Sequence, residues 1–202
     1  HLYLLLEAEV LREHFIQLGR DRVVGRWLGR GEVFVQGLES LFDLRADGLL
    51  PDRILLERDQ VARLAQEFRP KIIIGGYSSY PWAPDWQKFR EIANSCGALL
   101  MADVAHVAGL IIAGVYPSPV GIADIVTFTT HKTLNGPRGA VIITHRSDLY
   151  AKIDRGVFPG EQGGPHMNQV TALAVAMRLA ATDQFLDLQH RTVANAKRLA
   201  EK

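Results

Sequence analysis

Four short apolar runs, separated by segments of helical periodicity, constrain the fold of this chain more than any other feature of its sequence. The first run, Lys71-Ile-Ile-Ile-Gly75, follows an amphipathic segment from about Asp59 to Phe68. The others are Ala98 to Ala102, Ile122 to Phe128 and Ala140 to Thr144. Short apolar runs are typical of buried strands. Their alternation with helices predicts an α/β fold in which helices flank a mostly parallel central sheet.

Helix signals lie between and after these runs. Asp85 is in an N-cap position, and Gly97 is placed to end the helix that follows it. Further helices are predicted from about Ser147, over Met167 to Ala181, and over Asp183 to Lys202. In the first residues an apolar stripe of helical spacing is expected, formed by Leu2, Leu5, Leu6, Val10 and Leu11.

The composition of the 202 residues excludes several classes of function. Basic and acidic residues number 23 and 22, and no basic stretch is dense enough to predict nucleic-acid binding. The apolar stretches are too short to cross a membrane. Cys96 is the only cysteine, which excludes an internal disulfide framework, and no Cys/His cluster has zinc-ligand spacing. We therefore expect a cytoplasmic protein with no bound metal.

Polar side chains follow three of the predicted strands. They are Tyr77-Ser78-Ser79-Tyr80, then Asp103-Val-Ala-His106, then Thr129-Thr130-His131-Lys132. In open α/β sheets, ligands bind outside the carboxyl ends of the strands. The sequence therefore predicts a site that combines an acid, a lysine, two histidines and several hydroxyl groups.

Lys132 and Asp103 are the two residues that point to a particular chemistry. A partly desolvated lysine near other cations can act as a Schiff-base nucleophile, and pyridoxal phosphate also needs a carboxylate facing its pyridine nitrogen. The glycine-rich loop Gly160 to Pro165 offers backbone N–H groups for a phosphate. Structural roles remain as alternatives: Asp103 can cap a turn or pair with an arginine, Lys132 can be a solvated loop lysine, and His106 can be a half-buried structural histidine.

Three long motifs carry a resemblance to a known family. They are Met101-Ala-Asp103-Val-Ala-His106 continuing to Tyr116-Pro, Thr127-Phe-Thr-Thr-His131-Lys132-Thr-Leu-Asn-Gly-Pro-Arg138-Gly, and Val157-Phe-Pro-Gly-Glu-Gln-Gly-Gly-Pro165. In order and spacing they closely resemble serine hydroxymethyltransferase, a fold-type-I pyridoxal-phosphate enzyme that interconverts serine and glycine with tetrahydrofolate. The resemblance covers roughly Arg69 to Lys202, with a faint continuation back to about Gly48.

The resemblance implies a role for each matched residue. Lys132 resembles the Schiff-base lysine, Asp103 the carboxylate on the pyridine nitrogen, and His106 its companion beside the ring. Ser78 resembles a serine near the cofactor's 3′-oxygen. The remaining matches are Thr129 and His131 beside the lysine, Arg138 just after it, and Gly163 and Gly164, which resemble glycines that reach the phosphate of a neighbouring subunit in a homodimer.

The resemblance also implies a domain organisation. Residues 46–166 are expected to form the pyridoxal-phosphate-binding core of the large domain, and residues 167–202 to lead towards a further C-terminal domain. Residues 1–45 stay unassigned. Because the chain starts at His1 and stops before the family's substrate-carboxylate arginine, we expect a piece of a longer protein.

Two other functions remain open at this stage. A threonine aldolase-like lyase would need the same Lys132 and Asp103 but no folate. A truncated family member without catalytic activity would keep these residues and lack the rest of the site. The family's Pro-Leu-Met-His is here Pro165-His166-Met167-Asn168, which is a departure beside the glycine loop.

Overall fold

The computed structural model describes residues 60–80 and 82–201, together with two short strands nearer the N-terminus. The strands are β1 (Tyr3–Leu5), β2 (Val33–Val35), β3 (Ile72–Gly75), β4 (Leu99–Asp103), β5 (Ile125–Thr129) and β6 (Ala140–Thr144). The helices are α1 (60–68), α2 (Trp86–Cys96), α3 (Ala108–Ile112), α4 (Ser147–Arg155), α5 (Met167–Ala180) and α6 (Asp183–Ala200). An irregular helical segment, Gly156–Glu161, follows α4.

The six strands form one mixed sheet in the order β1-β6-β5-β4-β3-β2. Strands β2 to β5 run parallel to their neighbours, whereas β6 is antiparallel to β5 and β1 is antiparallel to β6. Helices connect β3 to β4 and β4 to β5, as parallel neighbours require, while residues 130–139 join the antiparallel pair β5 and β6 directly. The predicted α/β fold with a mostly parallel sheet is confirmed.

Capping residues in the sequence predict several helix ends correctly. Asp85 caps α2, since its side chain accepts a hydrogen bond from Lys88 N–H at 3.0 Å. Gly97 ends that helix with φ 77°, a conformation in which a Cβ would be strained. Thr182 separates α5 from α6 and caps the latter, as the turn predicted there requires.

Two predictions about element bounds need correction. The apolar run from Ile122 begins its strand only at Ile125, because Ala123 N–H closes a turn onto Pro119 O at 2.9 Å. The helical stripe expected at the N-terminus is wrong at Tyr3–Leu5, which pairs as a strand with Ala140–Ile142. A continuous apolar run is compatible with a helix or with a strand, and here the pairing with β6 makes it a strand. The rest of that stripe lies outside the described residues.

The core lies where the central strands meet the helices. Ile73, Leu100 and Val141 are almost fully buried in the sheet. Trp86 of α2 packs into the same core, and its indole N–H donates to Pro117 O at 3.2 Å. The core therefore fixes the sheet edge at which β3, β4 and β5 end. Among the described helices, none combines the length and the apolar composition that crossing a bilayer requires.

Candidate active site

The carboxyl ends of three parallel strands lie side by side. Gly75 of β3 pairs with Ala102 of β4, and Asp103 pairs with Thr127 of β5. The residues that follow these strands therefore meet at one edge of the sheet, which is where ligands bind in this class of fold.

Asp103 ends β4 at this edge. Its carboxylate is exposed, and Oδ1 accepts a hydrogen bond from Ala105 N–H at 3.0 Å. The turn-cap alternative left open by the sequence describes this hydrogen bond, because the group is exposed to solvent and a backbone donor engages one of its oxygens.

Gly76 brings the end of β3 against Asp103. A Cβ at Gly76 would overlap the Asp103 carbonyl and lie 2.8 Å from the Asp103 Cβ. A glycine is therefore needed for this close approach, and the two strand ends hold Asp103 in a defined place.

Lys132 meets His106 across the site. Its Nζ lies 2.9 Å from His106 Nε2, and both side chains are half-buried. Either nitrogen can be the donor, depending on the tautomer of the imidazole and the protonation of the amine. The contact joins the loop after β5 to the turn after β4, as the sequence predicted for these two strand ends.

The loop that carries Lys132 is a tight turn built on its own backbone. Asn135 N–H donates to Lys132 O at 2.9 Å, and Gly136 N–H donates to Thr130 O at 2.7 Å. The Thr130 hydroxyl is buried and donates to Pro137 O. These bonds limit the positions that the backbone at Lys132 can take.

Thr133 fastens this turn to α3. Its hydroxyl donates to His106 O at 2.8 Å and accepts from Gly109 N–H at 3.0 Å. A Cβ at Gly109 would overlap the Thr133 carbonyl, so only glycine lets α3 pack this closely. The same threonine therefore contacts both elements that carry His106 and Lys132.

The other predicted site residues lie at different distances from this centre. The Thr129 hydroxyl donates to Ala105 O at 3.2 Å, which places it beside Asp103 and His106. His131 is half-buried, whereas Ser78 and Arg138 are exposed. Gly163 and Gly164 are also exposed, and a Cβ added to either would meet no atom of the described residues within 4 Å.

Three aromatic side chains of the loop after β3 lie close to one another. The rings of Tyr77 and Tyr80 are 4.7 Å apart, and the ring of Trp82 is 5.5 Å from that of Tyr80. Tyr116 O–H donates to Trp82 O at 3.3 Å. Burial, together with the nearby Tyr80 hydroxyl, raises the pKa of Tyr116 to about 12. Tyr116 is therefore a neutral hydrogen-bond donor at physiological pH.

This arrangement of strand ends and motifs agrees with comparisons to known proteins. The sequence model of the family described as serine hydroxymethyltransferase matches residues 32–202. The chain belongs to the serine hydroxymethyltransferase family. The match also corrects the expectation that the resemblance fades at about Gly48, since it continues to residue 32.

Curated relatives named serine hydroxymethyltransferase agree with the family match. One from Psychrobacter sp. is 52% identical over 154 residues, which cover 76% of this chain and 37% of the relative. One from Teredinibacter turnerae is 44% identical over 89% of this chain and 44% of its own length. One from Clavibacter sepedonicus is 45% identical over 90% of this chain and 44% of its own length. The chain thus spans less than half the length of these serine hydroxymethyltransferases.

Four residues that the sequence reasoning missed support the site in this family member. Gly76 and Gly109 allow close backbone contacts, and Thr133 and Gln189 hold the lysine turn. The burial of Gln189 could have been predicted from the sequence, because it follows Phe185 by four positions and so lies on the same buried side of α6. Within the described part of the chain, no group of three or more His, Cys, Asp or Glu side chains is placed to hold a metal ion.

Proposed function

We propose that this chain is the cofactor-binding core of a serine hydroxymethyltransferase. The reaction is the reversible conversion of L-serine and tetrahydrofolate to glycine and methylenetetrahydrofolate, with pyridoxal 5′-phosphate as cofactor. The observation that carries the proposal is the 2.9 Å contact between Lys132 Nζ and His106 Nε2, at the edge where Asp103 ends β4. Family membership supports the same function.

The side chains at this edge fit that cofactor chemically. Lys132 supplies a primary amine, and Asp103 supplies an exposed carboxylate with one oxygen engaged by a backbone N–H. The close contact at Gly76 limits the positions of the Asp103 backbone that carries this carboxylate. When bound, pyridoxal phosphate would supply an electron sink for the electron pair left on the substrate's α-carbon.

Each matched residue takes a proposed role toward the cofactor. Lys132 would hold it covalently, Asp103 would keep a proton on its pyridine nitrogen, and His106 would lie beside its ring. The remaining proposed contacts are those of Ser78 at the 3′-oxygen and of Thr129, His131 and Arg138 around the lysine. Of these, the Thr129 hydroxyl is supported by its bond to Ala105 O, two residues from Asp103.

His106 also acts on Lys132 directly in this proposal. An amine must be uncharged to attack a carbonyl carbon, and an imidazole at 2.9 Å can exchange a proton with it. The contact also keeps Nζ at the sheet edge, because the His106 backbone is bound to Thr133, the residue after the lysine.

The proposed assembly is a cytoplasmic homodimer with shared active sites and with serine, glycine and folate as its small-molecule partners. The open surroundings of Gly163 and Gly164 support this, since a second subunit's cofactor phosphate could approach their backbone N–H groups. Residues 46–166 are the proposed cofactor-binding core, and residues 167–202 are proposed to lead towards a further C-terminal domain.

The first experiment is an absorption titration of the purified chain with pyridoxal phosphate, followed by borohydride reduction and peptide mapping. We expect a covalent adduct on Lys132 that is absent in Lys132→Ala and retained in Lys152→Ala, a matched variant at an exposed lysine of α4. An adduct that persists in Lys132→Ala would remove this lysine from its role. A folded chain without an adduct would favour a non-catalytic family member.

A second experiment separates the two enzyme functions. Serine cleavage by the cofactor-loaded protein is measured with and without tetrahydrofolate, and cleavage of a 3-hydroxy amino acid such as threonine is measured alongside. The proposed function predicts that serine turnover depends on folate. Equal rates of threonine cleavage in both conditions, without folate-dependent serine turnover, would instead identify a threonine aldolase-like lyase.

A further inference from the structure

Gln189 is a buried polar residue of α6 that contacts the lysine turn. It is 2% exposed, and its Nε2 donates a hydrogen bond to Thr133 O at 3.0 Å. Thr133 directly follows Lys132, although it lies 56 residues from Gln189 along the chain. A single side chain therefore ties the last described helix to the turn that carries the lysine.

The Gln189 amide is satisfied on its donor side only. Among the described residues, no donor lies within hydrogen-bonding distance of Gln189 Oε1, which is also buried. A buried acceptor without a donor costs about 1–3 kcal/mol; an apolar residue of similar size would remove this cost at Oε1 but would take the donor away from Thr133 O. The feature that such a residue could not supply is the hydrogen bond to Thr133 O.

With this hydrogen bond, both the hydroxyl and the carbonyl of Thr133 are bound to other parts of the chain. The Thr133 hydroxyl is bound to His106 O, in the turn before α3, and to Gly109 N–H of α3, and its carbonyl is bound to Gln189 of α6. The carbonyls of Lys132 and Thr130 are used within the turn itself. Gln189 thus adds a hydrogen bond from α6 to those that the turn receives from His106 and α3.

We propose that Gln189 is a positioning residue that holds the backbone of the Lys132 turn, and with it the lysine amine, at the sheet edge. Its catalytic consequence rests on the function proposed above. Displacement of a reacting group by about 1 Å can reduce a rate on the order of a hundredfold, so a fixed backbone beside the lysine has direct chemical value.

The test uses the cofactor-free chain and two variants of α6. Gln189→Met keeps the volume of the side chain and removes the donor. Thr182→Ala is the matched control, because it removes the N-cap of α6, where the hydroxyl accepts from Phe185 N–H at 3.4 Å, without touching the turn. Amide hydrogen exchange at Asn135 and Gly136, and acylation of Lys132 relative to exposed Lys152, are the readouts.

In Gln189→Met we expect both readouts to rise by about fivefold, as loss of one hydrogen bond predicts for a local opening. In Thr182→Ala we expect faster exchange only in the first turn of α6. Equal changes in the two variants, or no change at the turn in Gln189→Met, would overturn the proposal. If Gln189→Met does not fold, Gln189→Leu is measured instead, because it also removes the donor without placing a charge at this buried position, and the same rise in both readouts is expected.

The two proposals can fail separately. The exchange and acylation measurements need no cofactor, so they test the position of the turn whether or not the chain binds pyridoxal phosphate. In the cofactor-loaded protein, Gln189→Met is then expected to lower kcat with a smaller change in KM, because the substrate contacts are retained. A wild-type kcat in that variant, despite a loosened turn, would contradict the catalytic consequence.

Discussion

The guanidinium of Arg90 in α2 donates a hydrogen bond to the carboxylate of Asp124. Asp124 lies just before β5, at the end of the sheet opposite the candidate site. The same carboxylate accepts hydrogen bonds from Arg146 Nη1 at 2.8 Å and from Leu100 N–H at 2.7 Å. One buried acid thus joins α2, β4 and the segment before α4. These contacts fix the starts of the strands whose ends carry Asp103 and Lys132.

Replacing this acid is expected to destabilise the whole sheet. Asp124→Asn removes the charge that compensates Arg90 and Arg146; because both arginine side chains are partly solvent-exposed, we expect a loss of about 1.5–3 kcal/mol, less than for a fully buried pair. Unfolding in urea, followed by circular dichroism, measures the loss. Asp148→Asn is the matched control, because Asp148 binds the same Arg146 from an exposed position and its loss should leave the protein close to wild type. Equal stability of both variants would contradict this role of Asp124.

Asp124 also predicts how stability depends on pH. Burial alone would raise the pKa of this carboxyl group, but hydrogen bonds from Leu100 N–H and Arg90 outweigh burial and lower the pKa. A depressed pKa in the folded state adds stability above the unfolded pKa of about 3.9, and that stability is lost as the pH falls through the folded value. Urea unfolding from pH 7 to pH 2 should therefore show the difference between wild type and Asp124→Asn shrinking below about pH 4. A difference that stays constant to pH 2 would exclude the mechanism.

Much of this architecture follows from local sequence signals. The run at Lys71 to Gly75 predicts β3, and Asp85 and Gly97 predict both ends of α2, because apolar runs and helix caps act over a few residues. The fold and the list of strand-end residues therefore follow from the sequence. The short helix α3 does not, because Ala108–Ile112 is apolar on all sides and carries no side-chain cap.

The contacts that shape the site are beyond such local signals. Gly76 acts through Asp103, and Gln189 acts through Thr133, which is 56 residues away. Only tertiary packing brings these residues together. The exposure of Asp103 is equally beyond local signals, since the apolar run before it gives no information on whether the sheet edge is covered.

Gly76 is expected to be intolerant of even a methyl group. In Gly76→Ala the added Cβ would meet the backbone of Asp103, so one strand end must shift, at a cost of about 1–3 kcal/mol. Gly156→Ala is the matched control, because a Cβ there meets no atom within 4 Å in the part of the chain that the structure describes. Thermal unfolding compares the two variants, and a Gly76→Ala protein as stable as Gly156→Ala would show that the close approach is dispensable.

Asp103→Asn separates the structural role of this residue from its proposed chemical role. Asparagine keeps an oxygen that can accept the Ala105 N–H bond, and the site is exposed, so the stability of the fold should change little.

The substitution of Asp103 removes the negative charge that would hold a proton on the cofactor's pyridine nitrogen. Loss of one such electrostatic contact typically slows a reaction by about 100-fold to 1,000-fold, and we expect this loss in the exchange of the glycine α-proton. The measurement is NMR of glycine in deuterated water with the cofactor-loaded protein. The control is Asp154→Asn, at an exposed position of α4. Wild-type exchange in Asp103→Asn would mean that Asp103 is only a turn cap.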